Sequence, residues 1–308
     1  MGLFKKAINN VLEPVEYFLY VANRGRKFYP PIFIIGAPRS SSTLFYQSVI
    51  YSFDVCYISN FMSNFYKVPI TGWILQKLLF TVERSEDFKS YYGRTRGPLG
   101  PSEAADFWYQ WFPKGMNVYV EKDQIGLRKV KSIRNRISLI SRISGKPVVF
   151  KNLYNSMRIK PLYEAFNQAI FVVCKRNPVY IIQSILLSRI SQTGGINKWW
   201  SVPPKGVEKI IKMDPIKQVA MQVYLIYRQI EEDLKSIGTE RIYYVEYEYL
   251  CEKPFVVLNN FKKKLKAFGV NLKQKRNPPD KFQNSNRIRV DDDMFSRIVK
   301  EVNLLWKN

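Results

Sequence analysis

The chain has 308 residues and 46% hydrophobic content, enough for one large α/β domain or two small ones with a substantial core. It contains no histidine, which removes the usual general base, the usual metal ligand and every Ser-His triad, and leaves carboxylate, lysine, cysteine or tyrosine to carry any catalysis. The 49 basic residues against 25 acidic ones give a formal charge of +24, a field that favours polyanions, anionic membrane surfaces or multiply phosphorylated small molecules.

Residues 2 to 22 place Leu3, Phe4, Ile8, Val11 and Leu12 at helical spacing against Lys5, Lys6, Asn9 and Asn10. This predicts an amphipathic helix, packed either on its own protein or on a membrane surface. The same stretch lacks the apolar centre and cleavage site of a secretory signal, so a cytoplasmic location, with peripheral contact to the inner membrane surface, is the expectation. No run approaches the roughly 18 uninterrupted apolar residues of a membrane span. Pro30-Pro31 break the chain, a first strand follows at Ile32 to Ile35, and a helix begins within Ser40 to Thr43.

Residues 60 to 120 are rich in aromatics and turns. Pro101-Ser102 predicts a helix start that sets Glu103 in the first turn. Residues 121 to 160 hold eleven lysines and arginines against Glu121 and Asp123, read either as a solvated lysine-rich helical face or as an attractor for an anionic acceptor. Strands are expected at Lys146 to Lys151, 169 to 175 and 241 to 247. Helices are expected near 159 to 166, after Pro178, and from about 214 to 236. A long loop covers 191 to 206, where Trp199-Trp200 either stack on a sugar ring or pack beneath the loop. The C-terminal third adds a basic helix and the loop NPPDKFQNSNRIR. Strands alternating with helices predict a single α/β unit over 31–308, with a central parallel sheet flanked by helices and ligands at the carboxyl ends of the strands. Residues 1–30 form its lead-in. The cysteines Cys56, Cys174 and Cys251 share no motif spacing, and Cys174, within an apolar strand, reads as a small hydrophobe.

The stretch FIIGAPRSSSTL, 33 to 44, ends an apolar strand in small and hydroxyl residues. Against the template G-x-x-x-x-G-K-[ST] it matches at Gly36 and Thr43 and fails at Ser41 and Ser42, where glycine and lysine belong. Loop amides, a helix N-terminus and hydroxyls still suit a phosphate. The missing lysine is the group that reaches the β- and γ-phosphates of ATP, so a small-molecule kinase becomes the lesser alternative. A second cluster, CKRNPVYIIQSILLSR, places Arg176 past a strand end and Ser184 eight residues later. Together the two clusters suggest a ligand with two separated phosphates. A basic binder of nucleic acid or membranes, the other alternative, leaves both clusters without a role.

These segments resemble the sulfotransferases that use 3′-phosphoadenosine 5′-phosphosulfate (PAPS), carbohydrate-modifying and bacterial members included. GAPRSSSTLF is similar to their 5′-phosphosulfate loop, G-x-x-R-S-G-T-T, and VVCKRNPVYIIQS to their 3′-phosphate element. FKNLYNSMRIKPLYEAFNQAIFVV resembles the K-x-P stretch, helix and strand that precede that element, and RIYYVEYEYLCEKP the Y-V-x-Y-E-D-L segment. Ser41, Asn152-Leu153, Asn177 and Tyr249 depart from the family pattern. The resemblance spans about residues 32 to 270 and implies a P-loop-like sulfotransferase fold. It implies donor contacts from Gly36, Pro38, Arg39, Ser40, Ser41, Ser42 and Thr43 at the 5′-phosphosulfate, and from Arg176 and Ser184 at the 3′-phosphate. Tyr247 is implied near the adenine, with Arg287 and Arg289 closing over the 3′-phosphate. Arg39 would face the transferred sulfuryl group. Glu103 would be the base, with Asp106 and Glu83 in reserve, and no metal is needed. The implied acceptor is a glycan, glycolipid or small metabolite, reached by in-line displacement; no specific nucleic-acid partner is expected.

Overall fold

The computed structural model describes residues 2–81 and 87–306. Glu83 lies outside the described residues. In chain order the elements are α1 (Gly2–Ala22), β1 (Ile32–Gly36), α2 (Ser42–Ser52), α3 (Pro69–Leu79), α4 (Ala105–Trp108), α5 (Leu127–Ser144), β2 (Val149–Lys151), α6 (Ile159–Ala165), β3 (Ile170–Lys175), α7 (Pro178–Thr193), α8 (Pro215–Leu234), β4 (Ile242–Glu246), α9 (Tyr247–Glu252), α10 (Pro254–Lys266) and α11 (Asp292–Trp306).

The strands form one parallel sheet in the order β2-β1-β3-β4, with Phe33 opposite Phe150 and Phe171, and Val173 opposite Tyr244. Side chains alternate across it, as a two-residue period requires. Phe33 and Ile35 of β1 join Phe150, Phe171 and Val173 in a core with α4, α5, α6, α7 and α8. Ile32 and Ile34 face the other way, packing with Val149, Val172 and Cys174 against α2 and α10. The α/β class with a helix-covered parallel sheet is therefore what the alternating pattern predicted. Cys174 is buried in that second core, as its apolar neighbours implied.

Because β1 has β2 on one side and β3 on the other, the chain reverses direction across the sheet at β1. At such a switch point the loops leaving adjacent strands diverge and open a crevice at their carboxyl ends. The loop after β1 and the turn after β3 flank that crevice.

Some local expectations are corrected. The helix forecast at Pro101-Ser102 begins only at Ala105, because Pro101 bridges to Ser59, the Ser102 amide donates to Ile58 O at 2.9 Å, and Ala104 takes a left-handed conformation with φ 49°. Glu103 thus sits in extended chain ahead of the helix rather than in its first turn. The strand forecast from Lys146 is only Val149–Lys151, after α5 ends on left-handed Gly145. Helices α3 and α11 occupy stretches read as turn-rich or left unassigned.

Candidate functional site

The loop between β1 and α2 is shaped by backbone geometry. Gly36 has φ +151°, and a Cβ there would lie 2.7 Å from Cys174 O and 2.8 Å from Ser40 Oγ, so no larger residue fits. The Ser156 hydroxyl fixes Gly36 from below, accepting from its amide and donating to its carbonyl, both at 3.0 Å. Arg39 and Ser41 are both left-handed, with φ 67° and 65°. Ser41 stands at the N-cap position of α2 without a side-chain capping bond, where first-turn amides have no helical partner and the helix dipole favours negative charge. The position where the resembled family carries glycine therefore needs a left-handed residue, and serine meets that need with strain.

Two arginines organise the rest. The Arg39 Nε donates to Ser184 Oγ at 2.8 Å, and its guanidinium lies 5.5 Å from the centre of the Tyr92 ring. Arg176 stacks 4.6 Å over Tyr247 and donates through Nη1 to the Arg39 carbonyl at 3.1 Å, through Nε to Asn286 Oδ1 at 2.8 Å and through Nη2 to Ser285 Oγ at 3.2 Å. Tyr247 OH accepts from the Ser285 amide at 2.7 Å, pinning the C-terminal loop onto the same corner. Burial pushes both guanidinium pKa values below their ordinary level, and the Arg176 charge adds to the effect on Arg39. Among the described residues neither forms an ion pair with a carboxylate. Two desolvated cations side by side without a carboxylate partner call for an external anion.

These groups open on a cleft of about 880 Å³. Its walls include Pro38, Arg39, Ser41, Ser42, Thr43, Arg176 and Tyr247, together with Glu103 and Lys151. Lys151 ends β2 with its side chain 2% exposed and forms an ion pair with Glu103. Asn152 Nδ2 donates to the Glu103 carbonyl at 2.8 Å, and Gly93 packs so closely that a Cβ there would approach Glu103 Oε1 to 2.9 Å. Lys151 thus holds the carboxylate, Asn152 fixes the Glu103 backbone, and Gly93 leaves room for the side chain. Tyr92 and Trp200, with ring centres 6.1 Å apart, wall the cleft.

Several forecast residues fall elsewhere. Ser40 is 1% exposed beneath the loop, and Ser184 is 2% exposed and reaches the site through Arg39. Asp106 pairs with Lys5 of α1 at 2.6 Å and does not line the cleft. Trp199 stacks on Arg189 at 5.3 Å, leaving only Trp200 at the wall. The backbones of Arg287 and Arg289 bond to Gln183 at 2.9 and 2.8 Å, and the Arg289 charge reaches both site arginines. Ser285, Asn286, Tyr92 and the Lys151–Glu103 pairing were missed by sequence reasoning. Only Lys151, a lysine closing an apolar run, carried a usable signal.

A model of the sulfotransferase family matches residues 75–265, which hold Glu103, Lys151, Arg176, Ser184 and Tyr247 and leave the loop at 36–43 outside. No curated protein sequence matches the chain. Among solved structures, the chain is similar to sulfotransferase STF9 from Mycobacterium avium, with TM-score 0.48 and 13% identity over 93% of this chain and 71% of that one. It is similar also to a sulfotransferase from Alicyclobacillus acidocaldarius, with TM-score 0.45 and 13% identity over 91% and 96%. Sulfotransferase STF1 from Mycobacterium tuberculosis H37Rv gives TM-score 0.46 and 12% identity over 94% and 75%.

Proposed function

The chain belongs to the sulfotransferase family, and on that premise we propose that it moves a sulfuryl group from PAPS to an acceptor hydroxyl, with residues 31–308 as the transferase unit. The observation that carries the donor is the pair of desolvated arginines at the switch point, linked through the Arg39 carbonyl and, among the described residues, without a carboxylate ion pair. They offer two separated anion sites, as a 3′,5′-bisphosphorylated nucleoside requires. The loop fits the 5′ end: Ser41, Ser42 and Thr43 line the cleft beside the unpartnered amides of α2. Arg176, held by Ser285 and Asn286 above Tyr247, takes the 3′-phosphate, and Ser184 orients Arg39.

The bound donor supplies the activated sulfuryl group. Arg39 faces the cleft where charge grows on the bridging oxygen, and a fixed cation there stabilises the transition state without reorganisation. Glu103 accepts the proton of the attacking hydroxyl; Lys151 holds that carboxylate, and Asn152 anchors the Glu103 main chain. Positioning the acceptor in line supplies most of the remaining acceleration. The aromatic wall of Tyr92 and Trp200 suits the flat apolar face of a sugar, so a glycan or glycolipid is the preferred acceptor class.

The test is thermal unfolding with adenosine 3′,5′-bisphosphate, ATP-Mg²⁺ or DNA. Stabilisation by the bisphosphate alone, by about 2.7 kcal/mol at a hundredfold excess over Kd, is expected. Stabilisation by ATP-Mg²⁺ and not by the bisphosphate would sink the donor assignment.

A further inference from the structure

The helix at the start of the chain is mounted with its polar side inward. On α1, successive residues turn about 100°, which sorts its side chains into a polar and an apolar stripe on opposite sides. The polar stripe faces the protein, flanked by half-buried Ile8 and Leu12 and by Leu19 and Tyr20, which pack against the core. Asn9 is 0% exposed; its Nδ2 donates to the Lys5 and Asn64 carbonyls, and its Oδ1 accepts from the Lys67 amide at 2.7 Å. Glu16 accepts from the Ile70 and Thr71 amides and the Thr71 hydroxyl, each at 2.9 Å, closing the first turn of α3. Lys5 pairs with Asp106 and Glu13 with Arg136 at 2.9 Å. Each bond fixes the rotation of the helix about its axis.

The apolar stripe therefore points outward. Leu3 is 87% exposed, Phe4 73%, Val11 75% and Phe18 70%, and Val21 continues the line. Leu78 and Leu79, ending the neighbouring α3, are exposed as well. Large contiguous apolar patches on a protein surface mark interaction sites. No helix among the described residues is long and apolar enough to cross a membrane, and the buried Asn9 and Glu16 hold α1 along the protein surface.

A second feature adjoins it. The chain leaving α1 supplies Arg24, Arg26 and Lys27, which with Arg134 and Arg142 of α5 line a shallow pocket of about 430 Å³ that contains no carboxylate. Arg142 lies 5.3 Å over the Phe28 ring, and its Nε is buried without a hydrogen-bond partner. Such a pocket suits a phosphate.

We infer that α1 docks the protein on an anionic phospholipid bilayer, with its apolar stripe in the acyl-headgroup boundary and lipid phosphate in the Arg24–Arg142 pocket. An outward apolar stripe next to a cationic cluster is the arrangement by which amphipathic helices bind in the interface plane. A second copy of the chain is a poorer occupant, because two surfaces of a +24 protein repel. The inference stands apart from the sulfuryl-transfer reading and does not depend on the donor.

The test is co-sedimentation of the full chain with vesicles of pure phosphatidylglycerol or pure phosphatidylcholine. Binding to phosphatidylglycerol is expected, reduced about tenfold or more in the Phe4→Glu/Phe18→Glu variant with its circular dichroism and melting unchanged. Arg24→Ala/Arg26→Ala/Lys27→Ala should weaken the same binding and make it less salt-sensitive. Should the double glutamate variant unfold, Phe18→Ser gives the same comparison without added charge. Undiminished binding by these Phe variants overturns the proposal, since net charge alone would then hold the protein. A lipid-free dimer that Phe18→Glu converts to monomer also overturns it, by placing a second copy on the face.

Discussion

Single side chains decide whether the cleft can work. Glu103 is the only carboxylate among the cleft's described walls that pairs with a buried lysine, so Glu103→Gln should keep bisphosphate binding while turnover falls by about 10²-fold or more, the usual worth of a general base. Steady-state rates with a saturating donor check this; unchanged turnover removes Glu103 from the role. Ser41 offers a test of opposite sign. A non-glycine residue at φ 65° costs about 1 kcal/mol, so Ser41→Gly should raise the melting temperature by a few degrees in calorimetry. The sequence showed Ser41 as a departure from a family pattern, and the backbone supplies the reason the pattern exists.

Between elements, a half-exposed carboxylate ties three segments together. Glu121 accepts from Lys160 of α6 at 2.7 Å, from Lys205 ahead of α8 at 3.1 Å, and from Tyr119 at 2.9 Å. The Lys160 bond, foremost among these, holds its pKa down at about 2. A depressed carboxylate stabilises the fold above its ordinary pKa, and the contribution is lost as pH falls from about 4.5 towards 2. Solvent screening keeps it below about 1 kcal/mol. Glu121→Gln should thus lower stability at neutral pH by up to about 1 kcal/mol, change little near pH 2, and so flatten the acid limb of the stability curve, as read by melting against pH. Elements with plain periodicity were legible: the strands at 32, 170 and 242, the helix after Pro178 and the basic helix α10 stand close to where the pattern put them. Helix α3 was hidden by Gly72 and the surrounding turn residues, and α11 buries only Ile298 and Val302, too narrow a stripe to draw notice.

Across the whole molecule, the two strand-to-helix connections at β1–α2 and β3–α7 were readable because each is local, a strand end followed by a helix start. What locks them together was not. Ser285 and Asn286 meet Arg176 from 109 and 110 residues away, and Glu103 meets Lys151 across 48, contacts that no period or spacing announces. The sheet order explains why they converge, since the switch at β1 gathers the loops after β1 and β3 at one edge.

The hydrogen bond from Arg176 to the Arg39 carbonyl joins the residue proposed for the 3′-phosphate to the one proposed to face the sulfuryl group. A donor without its 3′-phosphate would leave the Arg176 guanidinium, fixed by Ser285, Asn286 and the Arg39 carbonyl, without its anion, and that phosphate's binding energy could not be spent on aligning the sulfuryl end against Arg39. Remote binding energy spent on alignment shows up in the catalytic step rather than in affinity alone. Adenosine 5′-phosphosulfate should therefore suffer in kcat as well as in KM, by about tenfold or more, whereas a merely additive anchor would raise KM and leave kcat intact. The far phosphate then acts as the handle that cocks the sulfuryl end.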